Sequence, residues 1–383
     1  MTPPIVMVVA GDPSGDANAA DLVRNLAEAL PGAQFIGAGG PKMAEAGVQL
    51  SFNLIDDSAI GPTDAAKNLG SFWEKRRRLY ELALERRPAL IILVDAYTFN
   101  QPLARAVKNF VRASAPDWQP KVVRYTSPQV WASRPGRAEK MAKDIDLLLC
   151  FFPFEKEWYE RRGTGMRVEC VGHPMFDRLG PPAGADRVET EPPTIMLLPG
   201  SRADEVRRHL PIMLAAARAI SSARPARFKV VAVNEKMAEA MRPGLAAGLP
   251  AAEIHTGQIA GALSTATLAI TKTGTITMEC AYFGVPAVTL YKASPLFYAL
   301  ARPFVTVKYL SMPNLLAGEA VFPEFVQSEA TPENLARAAL ELLSNAAQRE
   351  AVRAKLRSII KSLGGPGAAK RATALIAPIL ATP

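Results

Sequence analysis

The sequence predicts an α/β protein built from two doubly wound, Rossmann-like domains with parallel sheets. Three observations carry that prediction. Short apolar runs such as Ile5–Ala10, Leu90–Val94 and Ile195–Leu198 alternate with longer stretches of helical periodicity. Glycine-bearing turns follow several of those runs and open the next helix. The rhythm also starts twice, and 383 residues suit two domains of roughly 150–200 residues each.

In the first half, the strand Ile5–Ala10 leads into Gly11-Asp-Pro-Ser-Gly-Asp16 and a helix expected near Ala17–Leu30. Gln34–Ile36 repeats the pattern with Gly37-Ala-Gly-Gly-Pro41. An amphipathic stretch, Thr63–Arg87, precedes the strongest strand, Leu90–Val94. A helix is expected near Pro102–Ala113, a strand at Val122–Tyr125 and a helix near Arg137–Lys143. Strands Leu147–Phe151 and Arg167–Val171 follow. Residues 181–193, rich in proline and glycine, read as a linker between domains 1–180 and 194–363. In the second domain strands fall near Ile195–Leu198, Lys229–Val233, Leu268–Thr271 and Ala287–Leu290. Helices near Pro332–Ser344 and Ala347–Leu363 close it. Gly364-Gly-Pro-Gly367 breaks the chain before a last helix at Ala368–Leu380, and residues 364–383 pack back on the first domain or on a partner chain. Two such domains facing a cleft form the GT-B arrangement of sugar-nucleotide transferases. Ligands in such sheets sit beyond the carboxyl ends of the strands.

Composition is globular, 49% hydrophobic and 21% charged. The net charge of +9 suits anionic partners: sugar phosphates, nucleotides or acidic lipid headgroups. Basic residues are scattered, apart from Lys75-Arg76-Arg77-Arg78 and the pairs Arg86-Arg87 and Arg207-Arg208. No base-stacking motif accompanies them, which argues against nucleic acid. Cys150, Cys170 and Cys280 are odd in number and widely spaced, and read as core thiols of a reducing compartment. Met1-Thr-Pro-Pro4 carries no leader pattern, and the longest apolar runs, Ala89–Val94 and Leu147–Phe154, are too short to span a bilayer. A cytoplasmic protein is therefore expected.

Several segments could carry chemistry. Ile195-Met-Leu-Leu-Pro-Gly-Ser-Arg-Ala-Asp-Glu205 runs a strand into a helix that Ser201 would cap, with Asp204 and Glu205 in its first turn. Free N–H groups there, with Arg202 beside them, suit phosphate oxygens; an ordinary strand–helix turn is the other reading. Thr271-Lys-Thr-Gly-Thr-Ile-Thr-Met-Glu279 offers a second small-residue loop to a diphosphate, with Glu279 placed to meet a ribose or simply a solvated helix face. Asp95 ends a buried strand; it is either a base whose pKa is raised by lost solvent or a cap for the next helix. Gly11–Asp16 either wraps a phosphate or sugar or is a capped turn, and it matches neither a Walker loop nor a dinucleotide fingerprint. Asp144-Ile-Asp146 fits a metal-binding pattern without a third ligand and reads as structural. His173 follows a strand but has no metal-ligand spacing with His209 or His255. The helix around Phe72-Trp73, with Lys75–Arg78, Arg86 and Arg87, either rests at an anionic lipid surface or has a core face and a solvated basic side.

Taken together and in order, seven segments resemble the lipid-A-disaccharide synthase family: Gly11–Asp16, Phe35-Ile-Gly-Ala-Gly-Gly-Pro41, Tyr125-Thr-Ser-Pro-Gln-Val-Trp131, Phe152-Pro-Phe-Glu155, Val171-Gly-His-Pro174, Leu198-Pro-Gly-Ser-Arg202 and Leu310-Ser-Met-Pro-Asn-Leu-Leu-Ala-Gly318. The resemblance implies an inverting, metal-independent hexosyl transfer that needs no cofactor. UDP-2,3-diacylglucosamine would donate its sugar to 2,3-diacylglucosamine 1-phosphate, giving the disaccharide 1-phosphate and UDP. By the same resemblance Asp95 is the base, and Ser201, Arg202, Glu205, Gly274, Thr275, Glu279, Asn314, Glu324 and Gln327 form the donor side. Ser14, Gly15, Asp16, Trp131, Arg134 and His173 would line the acceptor side or the cleft. It also implies a peripheral position on the inner face of the inner membrane. A homodimer is left open. Four departures stand out: Asp12 replaces a usual Glu, Thr98 a second Asp, Ser133 an aromatic, and Lys272 a small residue. Two alternatives stay open: another GT-B UDP-sugar transferase or epimerase, and a non-catalytic lipid- or nucleotide-binding descendant, which the loss at Thr98 motivates.

Overall fold

The computed structural model describes residues 3–55, 69–179, 191–249, 251–257 and 259–381. The chain divides into two compact units, Met1–Arg178 with Gly365–Pro383, and Leu179–Gly364. Residues 63–68 of the amphipathic stretch and most of the expected linker lie outside the described residues.

The first unit holds seven strands: β1 (Ile5–Ala10), β2 (Gln34–Gly39), β3 (Gln49–Asn53), β4 (Leu90–Val94), β5 (Lys121–Tyr125), β6 (Leu147–Cys150) and β7 (Arg167–Cys170). Their order is β3-β2-β1-β4-β5-β6-β7, and every neighbouring pair is parallel. Helices α1 (Pro13–Ala29), α2 (Pro41–Glu45), α3 (Leu69–Arg86), α4 (Tyr97–Ser114), α5 (Arg137–Met141), α6 (Pro153–Arg161) and α7 (Met175–Arg178) connect them. Because side chains alternate along a strand, β1 sends Val6, Val8 and Ala10 into one core and Met7 and Val9 into another. Both faces are covered, which is why the central strands β1 and β4 are apolar at every position.

The second unit has β8 (Thr194–Leu198), β9 (Arg227–Ala232), β10 (Glu253–Thr256), β11 (Leu268–Lys272), β12 (Ala287–Tyr291) and β13 (Glu324–Val326). They are ordered β10-β9-β8-β11-β12-β13, again all parallel. Its helices are α8 (Ala203–Ala223), α9 (Glu235–Gly248), α10 (Ile259–Thr265), α11 (Ile276–Tyr282), α12 (Pro295–Ala301), α13 (Met312–Ala317), α14 (Pro332–Ser344) and α15 (Ala346–Ser362). Ile195 and Leu197 of β8 pack with Leu210, Met213 and Ala217 of α8 and Leu335 and Leu342 of α14.

The last helix, α16 (Ala368–Ala381), belongs to the first unit and packs along α1. Ala372 and Ile376 enter the core that Leu22, Val23 and Leu26 line. Asp177 accepts hydrogen bonds from the Gly367 and Ala369 amides at the start of α16, and Arg371 Nε donates to the Val171 carbonyl at 2.8 Å.

Three strands escape the sequence pattern: β3, β10 and β13. Each lies at a sheet edge and is only partly buried, so no continuous apolar run marks it. Two helices begin earlier than expected. Asp12 accepts a 2.8 Å bond from the Gly15 amide and so caps a helix that opens at Pro13. The other, α4, opens at Tyr97 and carries Pro102 inside it rather than at its start.

Ile376 is fully buried, so Ile376→Ala should cost about 2–5 kcal/mol. Urea unfolding followed by circular dichroism checks this: the midpoint falls if α16 is part of the first unit's core and stays fixed if it is not.

Candidate active site

In a doubly wound sheet, the strands flanking the point where the order reverses leave room for a ligand beyond their carboxyl ends. In the first unit these strands are β1 and β4. After Val94 the backbone turns sharply, with Asp95 at φ 49° and Ala96 at φ 39°. Left-handed conformations are costly for residues bearing a Cβ, so two in succession need outside support. Asn100 Nδ2 donates to the Val94 and Asp95 carbonyls at 3.0 and 3.1 Å, and Arg124 Nη2 donates to the Asp95 carbonyl at 2.8 Å. The helix cap falls on Ala96 and uses no side chain, so Asp95 does not cap α4.

The turn after β1 lies directly against Asp95. A Cβ on Gly15 would stand 3.3 Å from Asp95 Oδ2, and one on Gly11 would stand 2.4 Å from Ala96 Cβ. Only glycine lets the second approach occur. Burial, reinforced by the charge of Asp12, pushes Asp95 up to about 7, against the pull of the Arg124 guanidinium. Arg124 is itself 1% exposed; its Nε and Nη1 have no hydrogen-bond partner among the described residues, and its guanidinium lies 5.3 Å from the Tyr97 ring centre. A proton acceptor poised near neutrality, next to a fixed buried cation, is suited to general-base work.

The other residues expected on this side divide into two groups. Ser14 is exposed in the first turn of α1, and Gly15 borders Asp95. Asp16 is committed elsewhere: its carboxylate accepts the amides of Gly40, Lys42 and Met43 at 2.8, 3.1 and 3.1 Å, which ties down the start of α2. Trp131 is buried and donates to Glu155 at 2.9 Å, while Glu155 also accepts the Phe151 and Phe152 amides. His173 packs between Phe151, Phe152 and Phe176 and accepts the Met175 amide at Nδ1; burial drives it down to about 3, so it stays neutral. Arg134 is exposed, at φ 55°. Thr98 is exposed in the first turn of α4.

In the second unit the order reverses between β8 and β11. Here the expectation of a Ser201 cap and free loop amides is corrected. The helix starts at Ala203 with Arg202 as its cap residue, and Glu205 reaches back to accept the Ser201 and Arg202 amides at 3.0 and 3.3 Å. Those two donors are therefore already satisfied. Gly200, at φ 129°, makes room: a Cβ there would sit 2.5 Å from Glu205 Oε2. Lys272 Nζ donates to Glu205 Oε1 at 3.0 Å, joining the two turns that flank the reversal. Burial raises the Glu205 pKa, but the charge and hydrogen bond of Lys272, the Ser201 amide and the charge of Arg202 together hold the carboxyl below its usual range. Arg202 keeps its side chain 67% exposed at the N-terminus of α8. The amides of the helix's first turn have no acceptor within the helix, which favours an anion there.

Of the remaining residues expected on the donor side, Gln327, Glu324 and Asn314 are held by the protein itself. Gln327, at φ 55°, accepts the Ala293 amide at 2.7 Å. Glu324 accepts the Leu310 and Ser311 amides at 2.9 and 2.8 Å, and Asn314 links Glu324 to Phe322. Gly274, at φ 132°, passes close to Lys272; Thr275 is exposed, and Glu279 is half-buried in α11. His209 is buried between Pro199 and Lys292. Its Nε2 accepts the Lys292 amide, so Nδ1 carries the proton donated to the Pro199 carbonyl. Sequence reasoning gave no site role to His209, Arg124 or Glu155. A charged residue inside the buried run Val122-Val-Arg-Tyr125 was the available signal for Arg124.

Among the described residues no group of three or more His, Cys, Asp and Glu side chains could hold a metal ion. Asp144 accepts from Gln101 and Arg105, and Asp146 from Lys108 and the Val122 amide.

Residues 6–377 match the family model described as Lipid-A-disaccharide synthetase. A lipid-A-disaccharide synthase of Anaeromyxobacter sp. (strain K) is 38% identical over 376 residues, spanning 96% of this chain and 95% of that protein. Among solved structures, an S. aureus MnaA–UDP complex aligns with a TM-score of 0.66 at 12% identity, over 99% of this chain and 97% of that one. The calicheamicin glycosyltransferase CalG4 aligns at 0.59 and 16% identity, over 100% and 99%. These structural likenesses concern the fold, which is of the GT-B type.

Gly200→Ala should cost roughly 1–3 kcal/mol, because it strains a left-handed position and expels the Glu205 carboxylate from its cap. Thermal unfolding measures it, and an unchanged midpoint would show that the Glu205 clamp contributes nothing.

Proposed function

We infer the reaction from one premise: this chain belongs to the lipid-A-disaccharide synthase family. It is a hexosyltransferase of lipid A biosynthesis, with nucleotide-sugar and acylated glucosamine substrates. In the reading we favour, UDP-2,3-diacylglucosamine is the donor and 2,3-diacylglucosamine 1-phosphate the acceptor. The acceptor's 6-hydroxyl attacks the donor's anomeric carbon from the face opposite the diphosphate. The bond to the diphosphate oxygen breaks, and the β-1,6 disaccharide 1-phosphate and UDP result. One displacement inverts the anomeric centre, so a base is needed but no covalent nucleophile.

Asp95 is the proposed base, and the observation that carries this role is its setting. It is a largely buried carboxylate raised to about 7, at the reversal point of the first sheet and beside the Arg124 cation. Arg202 and the first turn of α8 are the proposed partners of the diphosphate, since positive charge must meet the negative charge that grows on departing UDP. Gly274, Thr275 and Glu279 are proposed to hold phosphate and ribose. Lys272 acts at one remove, by fixing Glu205 and hence the loop that presents Arg202. The displacement is redox-neutral, and the sugar nucleotide enters as substrate; no cofactor is part of the proposal.

We also propose a peripheral seat on an anionic membrane, on the cytoplasmic side. Among the described residues no helix is long and apolar enough to cross a bilayer. The outer side of α3 supports surface contact instead: Trp73 is 66% exposed, with the Arg76 guanidinium 4.1 Å from its ring centre. A groove of about 390 Å³ beside it is lined by Trp73, Tyr80, Leu103 and Ala106 together with Glu74, Arg76 and Arg77.

Incubation with both diacylated substrates, with mass analysis of the products, tests the reaction; UDP should appear only when the acceptor is present. Asp95→Asn should lower kcat by roughly 10²–10⁴-fold, and unchanged UDP release would remove Asp95 from the base role. Because the base must be ionised to accept a proton, kcat/KM should rise with pH and level off above about 7. Arg124→Met should move that acid limb to higher pH and Asp12→Asn to lower pH; a limb that ignores both would mean another group titrates. Arg202→Ala should lower kcat by about 10²–10³-fold if it meets the leaving group.

A further inference from the structure

The connection from β12 to β13 carries a cluster of large apolar side chains that are about half or more exposed. Pro295 opens α12 and the Ser294 hydroxyl accepts the Phe297 amide at 3.3 Å, so the helix is started by local capping. None of its residues is buried. Leu296, Phe297 and Leu300 are 72%, 51% and 65% exposed, and Phe304, just beyond, is 49% exposed. Among the described residues, four of the seven large hydrophobic side chains counted as exposed fall in this short span. Spacings of three and four residues set Leu296 and Phe297 on the same side as Leu300. A cluster of this kind marks a contact surface more often than a solvated one.

Charge decides what it contacts. Between Glu279 and Glu319 the chain contains Lys292, Arg302 and Lys308 and no acidic residue. Apolar side chains flanked by cations alone are the pattern of a surface that meets anionic lipid headgroups while its apolar groups enter the acyl boundary. Its place in the second unit agrees. The segment leaves β12 at the carboxyl edge of the sheet, where the Lys292 amide is held by His209 and the Ala293 amide by Gln327. It is thereby anchored beside the loops proposed to bind a diacylated sugar nucleotide.

We propose that the face formed by Leu296, Phe297, Leu300 and Phe304 is a second membrane-contact surface, which inserts shallowly into an anionic bilayer beside the donor loops. The inference rests on the membrane reading given above and adds to it a contact on the second unit. Its consequence is that the donor's acyl chains need not leave the leaflet when the headgroup is bound.

Flotation of the full chain with vesicles tests this, using phosphatidylcholine alone and an equimolar mixture with phosphatidylglycerol. Wild type should bind the mixed vesicles preferentially. The triple variant Leu296→Ser, Phe297→Ser, Leu300→Ser should lose about tenfold or more of that binding. Arg302→Glu with Lys308→Glu should reduce the preference for the anionic vesicles by roughly fivefold or more for each cation removed. All these side chains are exposed, so circular dichroism should show every variant folded, and turnover of short-chain substrates dispersed in detergent should match wild type. If the triple variant binds like wild type while Phe72→Ser with Trp73→Ser abolishes binding, contact runs through α3 alone and the inference falls while the membrane reading stands. If wild type binds neither vesicle, both fall. If wild type self-associates without lipid and the triple variant does not, the face joins two copies of this chain and the inference is wrong.

Discussion

The Asp95 carboxyl group and the Arg124 guanidinium both lie largely buried at the carboxyl edge of the first sheet, and the local architecture follows from that juxtaposition. Asp95 lies in a backbone conformation that it would not adopt unaided, held through its carbonyl by Asn100 and Arg124. The turn after β1 must come close to it, and this requires glycine at position 11. Burial alone would leave the carboxyl protonated well above its ordinary range; Asp12 adds to that tendency and Arg124 opposes it. The balance near neutrality is a property of three side chains from three different turns and strands. A base of this kind can take a proton at physiological pH and release it afterwards, which a fully solvated aspartate does poorly.

The second unit solves a different problem. Its loops are those proposed to present positive charge to a diphosphate, and the chain fixes them with its own polar groups. Glu205 consumes two loop amides and binds Lys272, His209 spans from the β8 exit to the β12 exit, and Glu324 with Asn314 ties down the start of α13. Each of these bonds fixes a backbone position that a ligand would otherwise have to order at its own entropic cost. Lys272 is instructive here. It departs from the family pattern, yet it is absorbed as the partner of a buried acid, and the exposed cation at the helix start remains Arg202.

The central strands were readable because burial on both faces makes them apolar without interruption, and the helices because one face of each is core. β3, β10 and β13 were not readable, since an edge strand can be short, partly solvated and free of any strong pattern. Helix starts were displaced for a related reason. The glycine-bearing motif Gly11–Asp16 looks like loop, but Asp12 turns most of it into the first turn of α1. Of the candidate site residues, Asp95, Gly15 and Arg202 lie open to a role toward ligand, whereas Asp16, Trp131, His173, Glu205, Asn314, Glu324 and Gln327 are engaged by the chain itself.

By itself the sequence determined the α/β class and the family. These are set by local periodicity and by residue types in a fixed order, both of which are properties of neighbours along the chain. Only the tertiary structure decided which polar groups are spent on holding loops and which remain for a substrate. It also buried Asp95 near Arg124 and Asp12, and it left the apolar residues around Leu300 exposed. Hydrogen-bond partners, burial and field strength depend on residues distant in sequence, so no local pattern could reveal them.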